Sequence, residues 1–209
     1  MLRLYRQPQK GEFFVVFGDC AQGGSDSNFV QFLSKSRIDV PLVYQLNDVA
    51  AAMTPILHQT LEWLFDKTGV QPIVGLERNN GGASEMRRLI DLNRQQKYRI
   101  YYMRKPDGSK DMNTPGWNTD VVSRPRMVGD WKEAFKTNQV RIYDEETLLQ
   151  HQTFITNRSN KPEAAPNAHD DAVMSIAGAW QLYQTEDQIR LDDDDDYDDT
   201  SGNITSLWG

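Results

Sequence analysis

The hydrophobic period of the chain changes within its first half, and that change restricts the fold more than any single motif. Three short β-rich segments come first: residues 12–18 (EFFVVFG), 28–34 (NFVQFLS) and 42–46, separated by turn residues. Between Thr54 and Lys67 the apolar residues Ile56, Leu57, Leu61, Leu64 and Phe65 recur instead at helical spacing. Thr54 suits an N-cap there, Pro55 the first helical position and Gly69 the stop. Residues 72–76 (PIVGL) then read as a buried strand, 83–93 as a helix and 98–103 as a strand. This alternation predicts an α/β layered fold.

The stretch from Arg104 to Trp117 is polar and turn-rich, and after it Met127, Trp131 and Phe135 define one face of a helix that should pack on the sheet. A brief strand is expected at 140–143, a short helix capped by Asp144 at 144–151, and a strand at 153–156 entering the loop NRSNKPEAAPNA, which suits a protruding hairpin. A last helix is expected over 169–183, with Val173, Ile176, Ala177 and Trp180 on its apolar stripe.

At 209 residues the size favours one domain with trimmings. The net charge of -7 sits at one end, because residues 186–199 hold nine acids against Arg190 alone. The rest of the chain is near neutral, which neither supports nor excludes a nucleic-acid partner. The expected organisation is therefore a domain over 1–185 and an acidic, disordered tail over 186–209, whose deletion should leave thermal stability nearly unchanged. No run approaches the about 18 to 20 apolar residues that cross a bilayer. The single cysteine, Cys20, cannot form an internal disulfide, and the start has no signal-peptide character, so an intracellular home is expected.

Three segments place acids where α/β sheets build sites. Asp19 follows an apolar strand and is itself followed by glycines; an aspartate there also serves as a plain turn former. Glu77 ends a strand too apolar to be exposed, and it needs either a structural partner such as Arg78 or a bound cation. Asp170 and Asp171 open the last helix, where acids complement the dipole, yet the apolar stripe behind them should turn at least one to the packed side. With no Cys/His cluster, these carboxylates describe an oxygen-ligand seat for a hard divalent cation, Mg²⁺ or Mn²⁺, rather than zinc. Two such ions about 3.5 to 4 Å apart would suit in-line attack on a phosphodiester. Intervals of 58 and 94 residues between Asp19, Glu77 and Asp171 mean that only the fold can assemble the set.

The motifs GDCAQGGSD, GLERNNGG and NAHDDAV occur in that order, with GWNTDVVSRPRMV between the last two. They resemble the nuclease domain of tailed-phage terminase large subunits over about residues 12 to 183. The resemblance implies a ribonuclease-H-like, integrase-like central mixed β-sheet flanked by helices. It places the family's acids on Asp19, Glu77 and Asp171 or its neighbour Asp170, as catalytic and metal-holding residues, and a further metal-holding acid on Asp26. Cys20 stands where the family commonly has proline. The activity implied is metal-dependent endonucleolytic cutting of double-stranded, concatemeric viral DNA during genome packaging in the host cytoplasm, leaving a 5′-phosphate and a 3′-hydroxyl. The implied partners are double-stranded DNA, a terminase ATPase domain, the small terminase subunit and the portal protein, with no membrane. No G-x-x-x-x-G-K-[ST] loop is present, so the chain is expected to be a separated C-terminal domain.

Rival readings are a 3′-to-5′ exonuclease, a resolvase or a non-catalytic DNA-binding or capsid-docking module. The exonuclease first motif is Asp-x-Glu, whereas this chain reads Asp19-Cys20-Ala21. Basic residues at Arg87, Arg88, Arg104, Lys105, Lys110, Arg124, Arg126, Lys132, Lys136 and 158–161 are candidates for phosphate contacts, each also explicable as a solvated face. His169 is read as an ordinary cap-region residue, Cys20 as an inert packed thiol, and Trp117 and Trp131 as anchors of the core or a loop.

Overall fold

A computed structural model describes residues 1–23, 26–105, 107–157 and 161–188. Its elements in chain order are β1 (Leu2–Leu4), β2 (Phe14–Asp19), β3 (Asn28–Ser34), β4 (Asp39–Leu46), α1 (Ala50–Thr68), β5 (Ile73–Leu76), α2 (Gly82–Leu92), β6 (Arg99–Ile100), β7 (Tyr102–Arg104), β8 (Lys110–Pro115), α3 (Ser123–Lys136), β9 (Arg141–Ile142), α4 (Glu145–Gln152), β10 (Phe154–Thr156), β11 (Pro162–Ala164) and α5 (Asp171–Thr185). The main sheet runs β1-β4-β3-β2-β5-β6, with β9 also paired to β4. Strands β2, β3 and β4 form an antiparallel meander, whereas β5 lies parallel to β2 and β6 parallel to β5. The sheet is mixed, and the parallel pair at its centre brings two strand C-termini to the same edge.

Alternation along β2 explains the layers. Phe13, Val15 and Phe17 belong to one core with α3 and α5; Phe14 and Val16 belong to a second core with α1 and α2. A strand buried on both faces must be apolar at every position, which is what the run at 13–17 supplies. On the first face α5 lies close against β2: the Ser175 hydroxyl donates to the Phe17 carbonyl at 2.9 Å, and a side chain in place of Gly178 would put its Cβ 2.3 Å from the Phe17 ring.

Helix α1 begins a turn earlier than the local signals suggest. Thr54 is inside the helix and fully buried, donating to Glu85, and Val49 is the N-cap. Pro55 is an interior residue, and without an N–H it leaves the Ala51 carbonyl without its helical donor. Arg88 of α2 donates to that carbonyl at 2.8 Å, so the interior proline is compensated by a tertiary contact. Gly69 ends the helix in the left-handed region, as expected. The segment 98–103 divides at buried Tyr101, with β6 in the main sheet and β7 in a separate ribbon with β8. The segment after residue 153 forms the antiparallel hairpin β10–β11, and Asp144 caps α4 by accepting from the Thr147 amide at 2.8 Å.

The acidic run at 192–199 lies outside the described residues. Glu186, which would fall in the expected tail, is 3% exposed and is held by Arg104 at 2.8 Å and Lys110 at 3.3 Å. Lys35 donates to its carbonyl and pairs with Asp187 at 2.9 Å. Both cations facing Glu186 are more than a third exposed, so screening limits the pair to about 1–2 kcal/mol in total. Ending the chain at Thr185 is expected to lower the thermal midpoint by about 2–8 °C relative to a chain ending at Gln188. Equal midpoints for the two truncations, by circular dichroism melts, would show that the Glu186 contacts contribute nothing.

Candidate metal centre

The register of the parallel pair sets two acids side by side. Gly18 of β2 is level with Leu76 of β5, and the Glu77 amide donates to the Gly18 carbonyl at 2.8 Å, so Asp19 and Glu77 occupy adjacent strand ends. Period-two alternation then fixes the face. Two residues before each acid, Phe17 contacts α5 and Gly75 lies opposite Leu182 of α5, so Asp19 and Glu77 both project toward the side that α5 covers. Helix α5 begins at Asp171, which is 9% exposed, and its first turn completes the group.

Asp19, Asp26, Glu77, Asp170 and Asp171 line one polar cavity of about 490 Å³, together with Cys20, Asn79, Asn80 and Arg124. The five acids come from four separate places in the chain, and the fold brings all of them together. A smaller apolar cavity, about 200 Å³ between α3, α4 and the hairpin, is lined chiefly by Val128, Trp131, Phe135, Phe154 and Val173 and lacks a comparable set of reactive groups.

Asp19 keeps some solvent contact through the cavity, yet burial is the largest influence on its carboxyl and drives its pKa well above the ordinary aspartate range. A hydrogen bond to Glu77 and the charges of Glu77, Asp171 and Asp170 push the same way. The Asp171 pKa is raised to about 6, first by burial and then by Asp26 and Asp170, against a lowering bond from the Ser27 amide at 3.0 Å. Burial first, and then the charges of Asp19, Glu77 and Glu85, push the Cys20 thiol well above its usual range, so it is a poor nucleophile.

Neighbouring groups hold these acids in place. Asn79 donates to Glu77 and to the Thr119 carbonyl, both at 3.1 Å, while Trp117 extends the edge of β5 by accepting from the Arg78 amide and donating to Leu76. Gly82 is required at the turn after Glu77, because a Cβ there would fall 1.8 Å from the Glu77 carbonyl oxygen. The amides of Gly82, Ala83 and Ser84 bond within this turn, so these three are already engaged and do not face a ligand. Asn28 accepts from the Ala21 amide at 3.0 Å and donates to the Asp48 carbonyl, fixing the segment that follows Asp19. Gln150 of α4 accepts from the Ala172 amide at 2.8 Å and so caps α5 in place of Asp170. Sequence reasoning missed Asn28, Ser27 and Gln150, for their partners are set by tertiary packing and no local pattern marks them.

Asp170 pairs with Arg124 at 2.6 Å, and Asp26 lies 3.8 Å from His169 at the more open side, where it is 65% exposed. Among the described residues no three acidic, histidine or cysteine side chains already surround a common point as a metal cage. Their oxygens are engaged instead with one another, with the Ser27 amide, with Asn79 and with Arg124. Several of the other basic residues are occupied structurally: Arg88 on Ala51, and Arg104 and Lys110 on Glu186. Residues 158–160 lie outside the described residues.

A mixed sheet covered by helices on both faces, with acids gathered at the ends of its central parallel strands and at the start of a late helix, is a ribonuclease-H-like fold. More particularly, it is the fold of terminase large-subunit nuclease domains. The large terminase nuclease domain of Thermus phage P74-26 superposes with a TM-score of 0.60 at 15% identity, over 90% of this chain and 89% of that one. The large terminase nuclease of thermophilic phage G20c with bound cobalt gives 0.58 at 15% identity, over 87% and 91%. The human cytomegalovirus terminase nuclease domain gives 0.59 at 15% identity, over 82% and 83%. No protein-family model matches the sequence, and no curated protein matches it significantly.

Proposed function

We propose that this chain is a divalent-metal-dependent endodeoxyribonuclease that cuts concatemeric double-stranded viral DNA during genome packaging. The observation that carries the reading is the convergence of Asp19, Glu77, Asp170 and Asp171 on one cavity at the ends of the central strands. Likeness to terminase nucleases supports it, as do structures of the phage G20c nuclease with bound magnesium and of the cytomegalovirus domain soaked with manganese.

The donor set fits a hard cation. Buried carboxylates that share a hydrogen bond and repel one another are costly without a counter-charge, and their oxygens are the ligands that Mg²⁺ and Mn²⁺ prefer. Asp19 and Glu77, adjacent on parallel strands, would hold cations between them, with Asp171 contributing from the start of α5. Asp170 and Asp26 stand at the rim of the cavity, where either would add a ligand if its carboxylate turned inward. Two such ions, when bound, would supply an activated water and neutralise the leaving oxygen of a phosphodiester. The chain's own task is to keep the acids in place: Ser27 orients Asp171, Asn79 orients Glu77, and the Gly82 turn lets α2 start close behind Glu77. Arg124 and Lys161, which line the trough next to the acidic cavity, are placed to meet the backbone of the DNA. By the same reading an ATPase domain, a small terminase subunit and a portal protein are its partners.

Incubated with supercoiled plasmid and millimolar Mn²⁺ or Mg²⁺, the purified chain is expected to nick and then linearise it, leaving 5′-phosphate ends, and to do neither in EDTA. Agarose gels and end-labelling read the result. A folded protein that leaves plasmid intact with both metals counts against an independent nuclease.

A further inference from the structure

Arg124 is the one lysine or arginine among the described residues that line the acidic cavity. It is also part of the adjoining trough, whose lining includes Glu77, Asn79, Thr119, Lys161 and Pro162, so it stands where the two spaces meet. Its Nη2 donates to Asp170 at 2.6 Å and its Nε donates to the Pro162 carbonyl at 3.3 Å, which ties the start of α3 to the hairpin and to the residue before α5. Asp170 is the N-cap residue of α5 by position, yet its side chain makes no cap bond. Arg124 therefore determines where that carboxylate sits.

The two acids that open α5 are held differently. Asp171 is fixed from behind by the Ser27 amide and is nearly buried. The Arg124 and Asp170 side chains keep 22% and 24% of their surface, so water and a phosphate can both reach the pair. A partly exposed ion pair contributes little net stability, and Arg124 gives Asp170 a single N–H bond, whereas a guanidinium can offer a phosphodiester two. Exchanging one anion for the other at Arg124 is thus nearly balanced.

Resting on the metal-nuclease reading, we infer that Arg124 is a substrate-released latch on Asp170. In the resting protein it withholds Asp170 from the cation seat formed by Asp19, Glu77 and Asp171. A DNA phosphate arriving in the trough draws Arg124 away and frees Asp170 to complete the seat. Two cations close together repel, so a second ion calls for added negative charge, which the incoming phosphodiester and the freed Asp170 would supply together. Arg124 in this role is a positioning residue that acts through Asp170, and its bond to Pro162 makes the hairpin part of the same device.

The test is calorimetric Mn²⁺ titration without DNA of the wild-type chain, Asp170→Asn, Arg124→Gln, the double variant and Arg124→Lys. Asp170→Asn is expected to change the Mn²⁺ affinity of wild type by less than about twofold and that of Arg124→Gln by about tenfold, because only the second background has Asp170 free. Arg124→Lys, which keeps a cation against Asp170, should behave as wild type. An equal effect of Asp170→Asn in both backgrounds overturns the latch while leaving the metal reading standing. Absence of Mn²⁺ binding to wild type overturns both.

Discussion

Asp19→Asn is expected to abolish plasmid cleavage, by on the order of 10³-fold, while making the metal-free protein more stable. Both effects have one cause. Asp19 is bonded to Glu77 and faces the charges of Asp171 and Asp170, so on the proposed reading it is the residue a shared cation would need, and it is costly to ionise without one. Its folded pKa lies above the value of about 3.9 in an unfolded chain. The stabilisation that comes with this shift is complete below the unfolded value and is lost as pH rises through the folded one. Asp171, raised to about 6, loses its share through the same window. Metal-free wild type should therefore become less stable between about pH 4 and pH 7. The advantage of Asp19→Asn over wild type should widen over that range. Divalent cation should reverse the order, adding about 2.7 kcal/mol to wild type at a hundred times its dissociation constant and little to the variant. Thermal melts across pH, with and without Mg²⁺, read both trends. Cleavage by Asp19→Asn within tenfold of wild type would falsify the assignment of this residue to the metal centre.

Gly178→Ala should damage stability and cleavage together, although it lies two turns from the nearest acid. The new methyl group would fall 2.3 Å from the Phe17 ring, and ordinary contact needs about 3.5–4.0 Å, so α5 must withdraw from β2 by about 1 Å or more. Overpacking of this kind costs about 1–3 kcal/mol, a fall of roughly 2–12 °C in the midpoint for a chain of this size. The same withdrawal carries Asp171 away from Asp19 and Glu77, and a misplacement of about 1 Å at a reacting centre can cost 10²-fold in rate. Gly129 in α3 provides the control, because nothing lies within 4 Å of a Cβ there and alanine should gain up to about 1 kcal/mol of helix stability. If Gly178→Ala melts and cleaves as wild type does, the close seat of α5 on Phe17 is not what positions Asp171.

Much of the architecture was legible from local pattern. The strand at 28–34, the Gly69 stop, the Asp144 cap and the hairpin after residue 153 depend on neighbours within a few residues, so the sequence around them carries the information. Errors fall where a distant group intervenes. Thr54 and Pro55 have the right local chemistry for a helix start, but Arg88 supplies the partner that lets the helix begin earlier. The strand β1 was not foreseen: it is three residues long, lies on the outside of β4, and is held by Arg3 and Tyr5 on Asp144, more than 130 residues away. The ribbon strand β8, KDMNTP, is polar and half exposed, so it lacks the alternation that marks a strand packed on a core.

The site divides in the same way. Which acids stand at strand ends and at the start of the late helix is written in the chain, since an apolar strand that ends in a carboxylate and a helix that opens with two are visible without coordinates. Only the tertiary structure decided that Asp19 and Glu77 face the same side, because that depends on the register of β2 against β5. Only it separated Asp171, turned inward to the Ser27 amide, from Asp170, turned to Arg124. Local sequence sets the identity and backbone state of each residue; the direction in which a charged side chain points is set by partners that folding brings from elsewhere in the chain.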